Sequence, residues 1–193
     1  MKIFTMPFLS GVTAFSRVLA VLLLLALTQN NAYAVDLPGF EDGPVIQGFG
    51  KHAKVPSASL SSRDTFKIAF DVAAGAGAGE VNRKFDSLAR FINMHVASGV
   101  PKENIELVLV VHGKASIDLL KSPIYARVYE TDNANVPLLQ SLMDNGVRII
   151  LCGQTAKAYE ISVDQLVDGI SVELSAMTAH ALLQQQGFTV NPF

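Results

Sequence analysis

Cysteine is scarce in this 193-residue chain, which has only Cys152. A single cysteine excludes an internal disulfide, so its thiol is a buried inert group, half of an intermolecular bridge, or a reactive group. Positive charge is also limited, because 15 Lys and Arg residues stand against 17 Asp and Glu residues. The chain therefore lacks the basic surface typical of nucleic-acid-binding proteins, and we expect no nucleic acid among its partners.

Motifs for metal, cofactor and hydrolytic chemistry are lacking as well. No Gly-x-Ser-x-Gly elbow occurs, and nothing indicates a paired-carboxylate site. The glycine-rich turn at residues 74–79 has Glu80 where a dinucleotide fingerprint needs its third glycine, so the pattern favours a flexible loop. Four histidines and one cysteine are spread along the chain without metal-ligand spacing: His52, His95, His112, His180 and Cys152. The sequence thus predicts neither a metal nor a cofactor.

The N-terminal residues have the pattern of a secretory signal peptide. Lys2 and Arg17 precede an apolar run, residues 18–27, and Ala32-Tyr33-Ala34 forms a small-x-small cleavage site. The apolar run is too short to span a bilayer comfortably, although an uncleaved anchor is the alternative. We therefore predict a signal peptide over residues 1–34 with cleavage after Ala34, export to the periplasm, and no membrane span afterwards.

The rest of the chain divides into an arm and a domain. Residues 35–63 are punctuated by glycine and proline and predict an irregular arm. From residue 64 to residue 193, apolar periodicities of strand and helix alternate. The strand patterns fall at 66–72, 105–111, 147–152, 170–172 and 188–190, and the helical patterns at 80–97, 115–120, 136–143 and 175–186.

This alternation determines the predicted architecture. Strands that alternate with helices at short spacing are typical of an α/β domain with a largely parallel sheet. Right-handed crossover connections place helices on both faces of such a sheet. We therefore predict a three-layer α/β domain whose ligands bind beyond the carboxyl ends of the strands.

Candidate chemical groups follow two of the predicted strands. Cys152 ends a buried strand and is followed by Gly153 and a short helical pattern, so backbone N–H groups and a helix dipole would favour its thiolate. His112 ends the preceding strand and would lie near Cys152 if the two strands are neighbours, lowering the thiol pKa or accepting its proton; the alternative is a histidine hydrogen-bonded to the backbone in a turn. Lys114 either binds an anionic substrate or is a solvated side chain, and His180 is interpreted as part of a packing or subunit face.

Four segments together resemble the DsrE/DsrF-like family, whose best-known members act in sulfur relay and intracellular sulfur oxidation. The resemblance covers residues 65–193 and implies a flavodoxin-like α/β fold and homotrimers or hexamers. The segments are Val110-Val111-His112-Gly113, residues 150–155, residues 175–179, and the ending at residues 186–193.

In sulfur-relay members a cysteine after a central strand carries a persulfide, and Cys152 matches that position. The resemblance implies that the N–H groups of Gly153 and Gln154 stabilise the anionic sulfur, and that a sulfur donor or acceptor, a protein or a small sulfur compound, is the partner. One hypothesis is therefore a sulfur carrier outside the cytoplasm. The alternative is a non-catalytic oligomeric binding or assembly module in which Cys152 is a buried core residue.

Overall fold

A five-stranded parallel sheet forms the centre of the computed structural model, which describes residues 38–192. The strands are β1 (Phe40–Glu41), β2 (His52–Ala53), β3 (Phe66–Val72), β4 (Ile105–Val111), β5 (Arg148–Cys152), β6 (Ser171–Glu173) and β7 (Thr189–Asn191). The helices are α1 (Arg83–Ala97), α2 (Ser122–Tyr129), α3 (Val136–Asp144), α4 (Gly153–Ala158) and α5 (Ala176–Gln185), with 3₁₀ turns at Lys102–Asn104, Gly113–Leu119 and Val163–Gln165. The sheet order is β6-β5-β4-β3-β7.

The two faces of the sheet carry cores of different size. Phe70, Leu109 and Leu151 point to one face, where they pack with buried side chains of α1 and α3. The opposite face contributes Ala69, Val108, Val110 and Ile150, which pack with Ala179 and Leu183 of α5 and with Phe188. Because a strand alternates its side chains between faces, β3, β4 and β5 belong to both cores. The predicted three-layer α/β architecture with a parallel sheet is confirmed.

Helix α1 begins three residues later than the periodicity predicts. The Asn82 side chain accepts a hydrogen bond from the backbone N–H of Lys84, as is typical of a residue that precedes a helix. The Asn82 amide also donates to Asp118 Oδ2 at 2.7 Å. These bonds hold residues 80–82 outside the helix, although Val81 has helical spacing with the apolar stripe.

The segment between β4 and α3 contains a helix that the sequence analysis did not predict. The predicted short helix at 115–120 is a 3₁₀ helix, Gly113–Leu119, and α2 follows it with a proline in its first turn. Tyr125 of α2 is fully buried, and its hydroxyl accepts a hydrogen bond from the backbone N–H of Gly79. This contact ties α2 to the glycine-rich turn after β3.

Asn93 of α1 holds part of the predicted N-terminal arm against the domain. Its side-chain oxygen accepts from the N–H of Ile46 at 2.9 Å, and its amide donates to the carbonyl oxygens of Ile46 and Phe49 at 2.9 and 3.0 Å. A Cβ at Gly43 would overlap the Asn93 side chain, so glycine is needed there. The arm also contains the β1–β2 antiparallel pair. The predicted signal peptide and its cleavage site at Ala34 lie outside the described residues.

Candidate functional site

The carboxyl ends of β3, β4 and β5 lie side by side and place three polar side chains on one face of the sheet. Val72 pairs with Val111, and Val111 pairs with Leu151. His112 and Cys152 are the next residues on adjacent strands, so they occupy the same level and point to the same face. Asp71 points to that face as well, because it pairs with Val110. The expected proximity of His112 and Cys152 follows from the adjacency of β4 and β5.

A pocket of about 360 Å³ lies between these strand ends and α5. Because α5 covers this face, its first turns form the opposite wall from the strands. The lining residues are Asp71, His112, Cys152, Gln154, Thr155, Ser175, Ala176, Met177 and His180. Among these side chains are a thiol, a carboxyl and two imidazoles, which can act as a nucleophile and as proton donors or acceptors.

The Cys152 thiol has hydrogen-bond donors around its sulfur, although the residue is only 6% exposed. Burial raises its pKa, but hydrogen bonds from the Thr155 hydroxyl and from the N–H groups of Thr155, Ala176 and Gln154 outweigh this effect, and the pKa lies below its usual value. Thr155 Oγ1 also accepts a 3.3 Å hydrogen bond from the N–H of Gly113, which links the ends of β4 and β5. The site therefore stabilises a thiolate, the nucleophilic form of cysteine.

Gly153 allows the end of β6 to approach the residue after the thiol. A Cβ at this position would lie 2.7 Å from the carbonyl oxygen of Glu173 and 3.2 Å from that of Leu174. Gln154 Nε2 donates to the same Leu174 carbonyl at 3.2 Å. The backbone N–H of Gln154 is among the groups that lower the Cys152 pKa, as expected, whereas that of Gly153 is not. Gly153 is required instead for close packing.

Asp71 joins the two histidines of the pocket. Its Oδ1 lies 2.8 Å from His180 Nε2, and its Oδ2 lies 3.3 Å from His112 Nε2. Burial raises the Asp71 pKa, but the hydrogen bonds and charges of His180 and His112 outweigh this effect and hold the pKa below its ordinary value of 3.8. At neutral pH Asp71 is therefore a carboxylate that accepts from both imidazoles.

The structure brings together Cys152, His112 and Gln154, three of the side chains that the sequence analysis singled out. Lys114 is exposed and is not among the pocket-lining residues, so nothing in this geometry supports its predicted role in anion binding. His180 was interpreted as a packing or subunit-face residue, but it lines the pocket and contacts Asp71. The sequence analysis also missed Asp71 and Thr155.

The periodicity of the sequence gives a signal for two of the pocket residues, Asp71 and His180. Alternation in β3 places Asp71 on the same face as Ala69, and helical spacing in α5 places His180 on the same face as Ala176 and Leu183. Ala69 and Leu183 belong to the smaller core, and Ala176 packs against it. A polar residue inside an apolar stripe at the carboxyl end of a strand is a candidate site residue.

The glycine-rich turn is held by side-chain hydrogen bonds, which differs from the flexible loop expected. Asp118 Oδ2 accepts from the N–H of Ala76 at 2.9 Å. Burial raises the pKa of Asp118, and the bonds from Asn82 and Ala76 offset only part of this increase. These contacts give residues 74–79 a structural explanation that needs no bound nucleotide.

Over residues 38–192, no group of three or more histidine, cysteine, aspartate or glutamate side chains is arranged to hold a metal ion. Within the same residues, no helix has the length and apolar character needed to cross a membrane.

Comparison with known proteins decides the family. The sequence profile of the DsrE/DsrF-like family matches residues 67–192. This range contains all five strands of the parallel sheet apart from Phe66, the first residue of β3. The chain belongs to the DsrE/DsrF-like family. Membership of this family suggests a role in sulfur relay. No curated protein matches the chain.

Two solved structures resemble the DsrE-like domain. A protein of unknown function from Methanobacterium thermoautotrophicum, MTH1491, superposes with a TM-score of 0.50 at 16% identity over 66% of this chain and 99% of its own. The YchN protein of E. coli superposes with a TM-score of 0.48 at 23% identity over 67% of this chain and 100% of its own. At this level of identity, the match to MTH1491 supports the shared fold alone.

Proposed function

We propose that this DsrE-like protein carries sulfane sulfur as a persulfide on Cys152. The observation that carries the proposal is the Cys152 thiol, whose pKa is lowered by hydrogen bonds from Thr155, Gln154 and Ala176 inside a pocket. A packed cysteine in apolar surroundings would have a raised pKa instead. Family membership supports sulfur as the transferred group.

Sulfur transfer needs a nucleophile and a site that stabilises negative charge on sulfur. The Cys152 thiolate attacks the outer sulfur of a donor persulfide, a new S–S bond forms at Sγ, and the donor leaves as a thiol. The donors around Sγ that favour the thiolate also favour an anionic persulfide, because both carry negative charge on sulfur. An acceptor thiol then attacks the outer sulfur and regenerates Cys152.

The alternative function is a non-catalytic oligomeric module in which Cys152 is a buried core residue. Its low exposure is compatible with this interpretation. The two functions differ in native reactivity, since a core thiol reacts with an alkylating reagent only after denaturation, whereas a carrier thiol reacts in the folded protein. Native-state alkylation therefore separates them.

Exposed apolar side chains beside the pocket support a protein partner. Leu174 is 69% exposed and Met177 is 80% exposed, and Met177 lines the pocket. Apolar side chains grouped at a site entrance are typical of contact surfaces. We propose that this rim contacts a sulfur donor or acceptor protein, or another copy of the chain in a homotrimer or hexamer. Light scattering of the wild type and of Met177→Glu tests the assembly, because a buried glutamate would weaken it.

Export is a proposal that rests on the N-terminal sequence pattern. A thiol in the periplasm meets an oxidising environment, so a working Cys152 needs protection. Its burial supplies that protection, since only 6% of the residue is exposed. N-terminal sequencing of the protein from a periplasmic fraction tests this proposal, and a first residue of Val35 is the expected result.

Sulfur loading is tested by peptide mass analysis. The purified protein is incubated with inorganic polysulfide, trapped with an alkylating reagent and cleaved with trypsin. We expect peptide 149–157 to gain one sulfur, about 32 Da, which is removed by reductant and transferred to an added thiol. Loading that persists in Cys152→Ser, or no loading while the wild type remains folded, contradicts the proposal.

A further inference from the structure

Three side chains from three parts of the fold are linked by hydrogen bonds along the pocket wall. His180 of α5 contacts Asp71 of β3 at 2.8 Å, and Asp71 contacts His112, which follows β4, at 3.3 Å. All three line the pocket that also contains Cys152. This arrangement has no obvious packing purpose, because a carboxylate in a partly apolar pocket costs free energy unless it is paired.

The lowered pKa of Cys152 does not explain why His180, Asp71 and His112 are linked by hydrogen bonds. The groups that lower the thiol pKa are the Thr155 hydroxyl and the N–H groups of Thr155, Ala176 and Gln154, and no histidine is among them. The sequence analysis expected His112 to lower that pKa or to accept the thiol proton. Since the thiolate is favoured without His112, the imidazole is available for another proton transfer.

We propose that His112 is the general acid that protonates the thiolate leaving the sulfur donor, and that Asp71 is its positioning residue. The inference rests on the proposed function, because it requires Cys152 to be the nucleophile. His112 suits this role because it directly follows Val111, which pairs with Leu151, the residue before Cys152, and because both side chains line the same pocket. Its side chain is 32% exposed, whereas that of His180 is 15% exposed.

His180 fixes the carboxylate from the opposite wall. Its Nε2 makes the shorter contact to Asp71, 2.8 Å to Oδ1, whereas His112 Nε2 lies 3.3 Å from both carboxylate oxygens. With Nε2 of His112 bound to Asp71, its Nδ1 is the nitrogen that delivers the proton, a tautomer assigned from these contacts. His180 and Asp71 are therefore positioning residues, and only His112 meets the reacting atoms.

The step balances without an oxidant or a reductant. The Cys152 thiolate attacks the outer sulfur of the donor R–S–SH, the new Sγ–S bond forms, and the donor S–S bond breaks with its electron pair passing to the R–S sulfur. The R–S thiolate takes the proton from the His112 imidazolium. The products are the Cys152 persulfide, R–SH and neutral His112. A basic leaving thiolate gains most from protonation, whereas a weakly basic one leaves unaided.

Two disulfides that differ in leaving group test the proposal. The purified protein reacts at neutral pH with 5,5′-dithiobis(2-nitrobenzoate), whose aryl thiolate is a weak base, and with bis(2-hydroxyethyl) disulfide, whose alkyl thiolate is a strong base. We expect His112→Gln to slow the alkyl reaction about tenfold or more and to change the aryl rate by less than about twofold. We expect Asp71→Asn to show the same selectivity with a smaller decrease in the alkyl rate. Lys84→Ala, which changes an exposed residue of α1 on the other face of the sheet, is the control that changes neither rate.

The outcomes separate this proposal from the persulfide function. Equal slowing of both reactions by His112→Gln would mean that the imidazole shapes the pocket only, and unchanged rates would mean that it has no role; either result overturns the proposal. The aryl reaction also reports whether each variant retains its folded site. If His112→Gln slows only the alkyl reaction while the wild type takes up no sulfane sulfur, the acid role is retained and the persulfide function is contradicted.

Discussion

Replacing Thr155 with valine removes the hydroxyl that does most to lower the pKa of the Cys152 thiol, and it keeps the side-chain volume nearly constant. A hydrogen bond to a charged group contributes about 1.5–3 kcal/mol, so the thiolate fraction at a pH below both thiol pKas should fall roughly tenfold to a hundredfold. A more basic thiolate is also a stronger nucleophile, and this partly offsets the loss. With a Brønsted coefficient near 0.45, the net rate of disulfide exchange should fall roughly four- to fifteenfold.

The pH profile of the reaction with 5,5′-dithiobis(2-nitrobenzoate) tests this prediction. We expect Thr155→Val to react more slowly than the wild type at low pH and faster above its own thiol pKa, so the two profiles cross. Thr155→Ser retains the hydroxyl and serves as the control, with a profile close to that of the wild type. Uniform slowing at every pH would indicate restricted access, and unchanged rates would show that the Thr155 bond does not stabilise the thiolate; both results refute the reasoning.

Three further predictions concern stability, measured by urea denaturation. Gly153→Ala places a Cβ 2.7 Å from the Glu173 carbonyl oxygen and should cost about 1–3 kcal/mol, and an unchanged midpoint would contradict this close approach. Asn93→Ala should cost about 3 kcal/mol and expose residues 43–50 to proteolysis, whereas Ser87→Ala on the same helix should change neither. Asp71→Asn should destabilise the protein at neutral pH. This deficit should vanish as pH falls through the wild-type Asp71 pKa, which lies below 3.8, and a deficit that persists there would exclude the carboxylate charge as its source.

The strands and the main helices could be predicted because their signals are local. Alternation identified β3, a continuous apolar run identified β4 with its observed bounds, and an apolar stripe identified α1. The start of α1 could not be predicted, since it depends on the contact of Asn82 with Asp118, a residue 36 positions away. Local patterns therefore determined element type better than element bounds.

The candidate site could be predicted only in part because its contacts depend on sheet order and helix packing. Cys152 and His112 end strong strand patterns, and this made them visible in the sequence. The bond between Asp71 and His180 joins residues 109 positions apart and exists because α5 lies across the carboxyl ends of β3 and β4. No local pattern specifies that placement, so periodicity could mark each residue as a site candidate but could not predict the contact between them.

The central claim is that Cys152 carries sulfane sulfur, and the intact mass of the folded protein after incubation with polysulfide tests it most directly. The account predicts a gain of about one sulfur, roughly 32 Da, that reductant removes and that is absent from Cys152→Ser. An equal gain in Cys152→Ser would contradict the claim. No gain in a folded wild type, with a thiol that reacts only after denaturation, would instead assign Cys152 to core packing.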